Sequence, residues 1–347
     1  MSAIKLYAET LVKKGGVLNH SLTIKIIQED IMHGIMENDF MFSGRGEVPW
    51  HGIGAVLDGV LTSDEAIRIA RLEWEIKQTP VFTSDNWANA IPGYVANVRS
   101  DTKEVLGIVS ERYCVAQNKD VFAFADDLIG NNNKKCTYET AGSLWNGRRV
   151  FMLVNMPKGR IVGDDYQPYL CLSNAHDGSS SLQVFLTGIR VVCNNTLQAA
   201  LHTARRKISI RHLSRMDERK DEALRTMGAA SKYFHDLEAF ASLLAGKKVN
   251  IAKVLDKLLP VSKLMSQRQL NSNNEVKEII KTIFKQKDDL QNFKGTAWGA
   301  YQAIADYRSN AEPRRKTANF ADAKMARFLD GDDVMNQAQD IILELAA

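Results

Sequence analysis

Two turn signals between residues 137 and 193, each set between apolar runs of strand length, restrict the fold more than any other feature of the chain. YETAGSLW and RRVFMLVNM flank Asn146-Gly147. A type I′ turn needs positive φ at both central residues, which Asn and Gly tolerate best. QPYLCLSNA and LQVFLTGIRVVC flank the HDGSS loop at 176–180. Successive hairpins of this kind predict an antiparallel sheet. A further pair, GYVANVRS and VLGIVSERYCV, is joined by the turn SDTKE. EIKQTPVF precedes it, and Pro80 places that run at an edge or a strand end.

Helical signals bracket these strands. LTSDEAIRIARLEW predicts a helix with Ser63 as N-cap and acidic residues in its first turn. Ala66, Ile67, Ala70 and Trp74 fall on one face of it. KDVFAFADDLIG predicts a short helix closed by Gly130. Asn194 or Asn195 is expected to cap a helix over TLQAALHTA, and KISIRHL to add a last strand. From Ser214 the apolar spacing turns helical, with a stop at Gly246, a stop at Pro260, and further segments NEVKEIIKTIFKQKDDL, TAWGAYQAIADYRS and VMNQAQDIILELA. SNAEPRRKTANFAD reads as a polar linker. The expected class is α+β: an antiparallel β-hairpin core with flanking helices, followed by an all-helical C-terminal region. The expected divisions are an N-terminal arm over residues 1–45, a core domain over 46–213 and a helical domain over 214–347.

Composition limits the function classes. The 347 residues are 45% apolar and 25% charged, enough for a sizeable core. The net charge of +4 permits a polyanionic partner without requiring one. No apolar run approaches the roughly 18–20 residues of a membrane span, and MSAIKLYAET lacks the layout of a secretory signal. The four cysteines are widely spaced and form no C-x-x-C pair, which points to free thiols in a reducing cytoplasm. The phosphate loop, dinucleotide fingerprint and nucleophile-elbow motifs are missing, and no H-E-x-x-H or H-x-x-x-H spacing exists. Neighbouring carboxylates such as Asp126-Asp127 do not face each other. No metal and no cofactor is expected.

Two sets of residues remain as candidates. His176 and Asp177 sit in a hairpin loop, where rigid strands present functional side chains, although Asp-Gly equally makes a plain hairpin tip. Cys193 would serve as a nucleophile beside a histidine, and equally ends a buried strand. At ~3.3 Å per residue, Asp177 and Cys193 lie ~30–50 Å apart along an unbent strand. A joint site therefore requires a bulge at Thr187-Gly188 or a switch between sheets. The second set is basic. Arg148, Arg149 and Arg190 lie on strands, and Arg205, Arg206, Lys207 and Arg211 belong to a dense basic run over 202–220. Arginines sharing one sheet face would bind phosphates. A helix N-terminus after Asn195 would add backbone donors. Trp87, Tyr94, Tyr113, Trp145 and Tyr169 lie in or beside the hairpins and offer stacking surfaces.

PWHGIG at 49–54, TSDEAI, the LEWEI–TPVF segment, VLGIVSERYCVAQN, SLWNGRRVFM, AHDGSSS, RVVCNNTLQAAL, IRHL and TAWGAYQAIADY follow one another in a single order. That order resembles the phage/plasmid-like protein family, a group defined by a domain of unknown function and found on bacteriophages, plasmids and integrated elements. The resemblance spans about residues 44–310. It brings no catalytic residue, and it implies a viral or mobile-element protein in bacterial cytoplasm. Separately, helix, three strands and helix over 64–130 is similar in order to the core of ring-forming single-strand annealing recombinases carried by phages, an analogy of fold alone. The expected function is a non-enzymatic, homo-oligomeric, single-stranded-DNA-binding or annealing protein of recombination or replication. It would contact phosphates through the seven basic residues named above, and its further partners would be phage or host replication or recombination proteins. The alternative is a hydrolase or nucleotide-processing enzyme using His176, Asp177 and Cys193.

Overall fold

The computed structural model describes residues 40–43, 56–57, 62–83, 89–130, 136–190, 195–197, 207–210, 220–311 and 320–346. In chain order the elements begin with β1 (Phe40–Ser43), β2 (Val56–Leu57), α1 (Ser63–Ile69), β3 (Ile76–Phe82), β4 (Ala90–Arg99), β5 (Val105–Ser110) and α2 (Asn118–Gly130). Then come β6 (Thr137–Leu144), β7 (Arg149–Asn155), β8 (Gly159–Ile161), β9 (Asp164–Ala175), β10 (Leu182–Arg190), β11 (Asn195–Leu197) and β12 (Lys207–Ile210). The helices α3 (Lys220–Ala245), α4 (Ile251–Leu258), α5 (Gln267–Gln286), α6 (Ala297–Asn310), α7 (Phe320–Asp330) and α8 (Asp333–Ala346) complete the chain. The class is α+β with an all-helical C-terminal region.

Both expected hairpin pairs of the main sheet form, β6 with β7 and β9 with β10. The nine-stranded sheet runs β11-β10-β9-β7-β6-β1-β2, with β12 also on β10 and β8 on β9. Its ladders are antiparallel except β1 with β2, which is parallel. A separate three-stranded antiparallel sheet runs β3-β4-β5, with Pro80 on an edge strand, as its missing N–H demands.

Alternation along the central strands feeds two cores. Val150, Met152, Val154, Leu170 and Leu172 face one apolar cluster that also takes side chains from α1 through α6 and from α8. Phe151, Leu153, Tyr169, Cys171 and Phe185 face a second, smaller cluster closed by Met325, Ala326, Phe328 and Leu329 of α7. Covering on both faces explains why VFMLV at 150–154 is apolar throughout rather than alternating. The main cluster continues from the sheet into the helical region, where Trp298 stacks on Tyr301 inside α6. Among the described residues no helix is long and apolar enough to cross a membrane.

Several sequence expectations need correction. Thr62, not Ser63, caps α1: its Oγ1 accepts the Glu65 N–H while the Glu65 carboxylate accepts the Thr62 N–H. Ser63 turns inward and donates to Asp126, and Trp74 lies beyond the helix, before β3. Part of the expected arm is strand β1, paired with β6. Asn195 does not cap a helix; it opens β11, which pairs with β10. The β6–β7 turn is wider than a two-residue type I′ turn. Trp145, Asn146 and Gly147 all take positive φ; Asp322 accepts the Trp145 N–H, and Asn146 is held by Arg99 and Glu104. Helix α7 lies where the polar linker was expected to end and beyond it. Met325, Phe328 and Leu329 carry the i, i+3, i+4 spacing that marks it.

Candidate functional site

His176 is fully buried, and its role follows from its neighbours. The Asn118 amide donates to Leu72 O at 3.0 Å and Trp74 O at 3.3 Å, which turns its Oδ1 toward His176 Nε2 at 2.9 Å. Nε2 therefore carries the proton. Asn174 donates to Ala116 O and lies 3.4 Å from Nδ1, which accepts. Trp74 meets the imidazole edge-on at 5.5 Å, and the Arg99 guanidinium lies 4.3 Å above the indole. Arg99 also donates to Asn146 O and pairs with Asp101 through two hydrogen bonds, which holds the Asp101 carboxyl below the usual range. Asn97 donates to His176 O at 2.7 Å, and the Tyr113 hydroxyl to Ala175 O at 2.7 Å. These contacts clamp the three-stranded sheet and the start of α2 onto the tips of the β6–β7 and β9–β10 hairpins.

Asp177 continues the clamp through its backbone. Its Oδ1 accepts the Ser179 N–H at 2.9 Å, closing the turn. A Cβ on Gly107 of β5 would stand 2.6 Å from Asp177 Cα, so only glycine allows strand and loop to meet. His176 and Asp177 thus serve as a structural hairpin tip. Strand β10 pairs with β9 from Gln183 to Arg190 without a register shift, so the required bulge at Thr187-Gly188 is missing. Cys193 lies outside the described residues.

The basic candidates separate. Arg148 is exposed, and its carbonyl accepts the His176 N–H. Arg149 is buried and engaged inside the chain. It donates to Ser173 Oγ at 2.7 Å and Gln183 Oε1 at 3.4 Å and pairs with Asp330 at 2.8 Å. Arg190 and Lys207 are placed by backbone alone, opposite Tyr166 and Phe185. Arg205, Arg206 and Arg211, like Trp87, lie outside the described residues. Of the other aromatics, Tyr169 is buried, and Tyr113 and Trp145 are half-buried.

The exposed surface that sequence reading did not single out is the outer face of the three-stranded sheet. Strand registers place Lys77 and Thr79, Tyr94, Ala96 and Val98, and Ser110, Ile108 and Val105 on that face. The opposite face carries Asn97 and Arg99 into the clamp. Tyr94 is 53% exposed, Ile108 58% and Val105 49%. Large apolar side chains clustered in water mark a binding surface. Lys103 in the β4–β5 turn and Arg112 after β5 are exposed at its margins. The sequence held a signal for this: Tyr, Val and Ile alternate on both strands, and Asn97, a poor strand former, interrupts the other face.

The family model for a domain of unknown function, DUF932, matches residues 105–329. The chain belongs to the DUF932 family. No curated protein and no solved structure matches it. The DUF932 match takes in β5, the histidine clamp loop, both hairpins of the main sheet and helices α3 to α6, and ends within α7.

This DUF932 chain also buries carboxyls on the second face of its main sheet. Glu139 lies at a bulge in β6 and accepts from the Tyr169 hydroxyl at 2.8 Å; burial pushes it up to about 7. Asp322 of α7 accepts the Trp145 N–H at 2.9 Å, and burial pushes it up to about 6. Both bind protons more tightly folded than unfolded. Their stabilising contribution is full below the ordinary carboxylate range and falls as pH rises through about 6 and 7. Unfolding free energy is expected to drop by about 1–3 kcal/mol between pH 5 and pH 8 from Glu139. Urea titrations across that range should show Glu139→Gln flattening the drop. An equal slope in the variant would remove Glu139 as its source.

Proposed function

We propose that the chain is a non-enzymatic single-stranded-DNA-binding and annealing protein of a phage or other mobile element, acting in recombination or replication in bacterial cytoplasm. The observation that carries this reading is the open outer face of the β3-β4-β5 sheet, along which Tyr94, Ile108 and Val105 are exposed. Base planes stack on such a surface for about 1–3 kcal/mol each, and only an unpaired strand presents them. Stacking on Tyr94 would leave Watson–Crick edges free, as annealing needs. Lys77, Lys103 and Arg112 at the face, with Arg148 at the seam between the sheets, would meet phosphates. Arg190, Lys207, Arg205, Arg206 and Arg211 extend the proposal to the basic run. Each unit offers a short face, so binding along a strand would proceed by self-assembly, with phage or host replication or recombination proteins as further partners.

Two features support this above the hydrolase alternative. His176 is engaged on both ring nitrogens, and Asp177 is tied into its own turn. The test is fluorescence anisotropy with labelled oligothymidylate over a salt series. Binding at low salt that weakens steeply with salt is expected. Tyr94→Ala should lower affinity roughly 10-fold with an unchanged melting temperature, because the ring is exposed. No binding at low salt, or equal affinity in the variant, would reject the reading.

A further inference from the structure

We propose that the Arg149 guanidinium is a phosphate-binding site occupied in this structure by the chain's own Asp330. The guanidinium is almost fully enclosed, its side chain 5% exposed, on the β7 face turned to α7. Two neutral groups of the sheet aim it: Ser173 Oγ takes Nε and Gln183 Oε1 takes Nη2. Gln183 is itself held by the Ser180 hydroxyl at 2.8 Å, at the hairpin loop. Among the described residues, the negative charge paired with the guanidinium comes from outside the sheet. Asp330, the last residue of α7, is 51% exposed and reaches in with both oxygens, Oδ1 to Nη2 and Oδ2 to Nη1. Two oxygens of a phosphate present the same paired geometry to an arginine.

The occupant is built to leave. Helix α7 closes only the smaller apolar cluster, separate from the main core, so its opening does not require global unfolding. At its other end Asp322 holds the Trp145 N–H through one oxygen, while its buried Oδ1 has no hydrogen-bond partner among the described residues. Such a half-satisfied carboxylate is a weak anchor. Beyond Asp330 the chain turns at Gly331, φ 101°, and Asp332 is fixed to Arg308 at 2.6 and 3.0 Å. The helix can therefore swing about Gly331 without disturbing α8. Arg149 would then face solvent already oriented by Ser173 and Gln183, beside the exposed Arg148.

A nucleic-acid source for the phosphate rests on the function proposed above; the site itself does not. The test uses the full chain and Asp330→Asn, whose amide oxygen still accepts from Arg149. At matched ionic strength, replacing chloride by 50 mM inorganic phosphate, a chosen test condition, should raise the melting temperature of Asp330→Asn by about 3–5 °C more than that of the wild type. The double variant Arg149→Gln, Asp330→Asn should lose the increment. Should Asp330→Asn fail to fold, Phe328→Ala replaces it. That change removes a ring 6.3 Å from Phe185 and leaves the ion pair intact. It should speed amide exchange in α7 and produce the same phosphate increment. Equal phosphate responses in wild type and variant, or an increment that survives loss of Arg149, would overturn the site. Oligothymidylate then separates the sources. A rise of roughly 3- to 10-fold in affinity for Asp330→Asn identifies a DNA phosphate. A phosphate increment without any DNA binding in either protein keeps the site, assigns it to a free phosphate group, and rejects the nucleic-acid reading alone.

Discussion

Replacing His176 by alanine is expected to destabilise the protein by about 3–5 kcal/mol. The ring is fully buried and fills the space beside Trp74, so its removal leaves a cavity. Asn118 Oδ1 loses its partner, and the Asn174 amide is left with Ala116 O alone. The loss adds a transfer and cavity contribution to an unpaired buried acceptor, which places it at the upper end of single substitutions. Because the clamp joins the small sheet to the main one, amide exchange in β4 and β5 should rise more than exchange in α6. Denaturant titration and hydrogen exchange measure both. A variant within about 1 kcal/mol of the wild type would show that His176 is not the centre of the clamp. Oligothymidylate binding by the folded fraction should persist.

Gly107→Ala acts on the same joint from the other side. Its Cβ would lie 2.6 Å from Asp177 Cα and 3.0 Å from Asp177 O, against backbone rather than a movable side chain. Strand β5 or the 176–180 loop must retreat, and Asn97 then loses its bond to His176 O. The expected cost is about 2–4 kcal/mol, from overpacking and one broken buried hydrogen bond. The melting temperature reports it. Tyr94→Ala, on the outer face of the same sheet, gives the contrast: weakened binding with unchanged stability. If Gly107→Ala proved neutral, the close approach of β5 to the loop would be wrong, and with it the support beneath the proposed binding face.

The strands and most helices were legible because their signals are local. Asn146-Gly147, the HDGSS loop, Pro80, Gly246 and Pro260 act on the backbone within a few residues of themselves. The sequence also carried the α+β class, the order of helix, three strands and helix, and the order of motifs that resembles a family with a domain of unknown function. What a residue does once folded was not legible. His176-Asp177 reads equally as a reactive pair and as a hairpin tip, and Arg149 equally as a phosphate contact and as an internal ion pair. Helix α7 was hidden by its polar neighbours, and Asn195 by a capping preference that pairing with β10 overrode.

The sequence by itself determined where the chain extends, turns and coils, since backbone propensity and apolar period depend on near neighbours. Tertiary structure alone decided which polar groups are spent inside the molecule and which remain for a partner. Asn97, Asn118, Asn174 and Arg99 come from distant segments and reach their partners, His176 and Asn146, only when the two sheets meet. That meeting buries one face of β4 and leaves Tyr94 on the other. Burial and pairing are properties of the assembled chain, and they sort its histidine and arginines into structural roles before any ligand arrives.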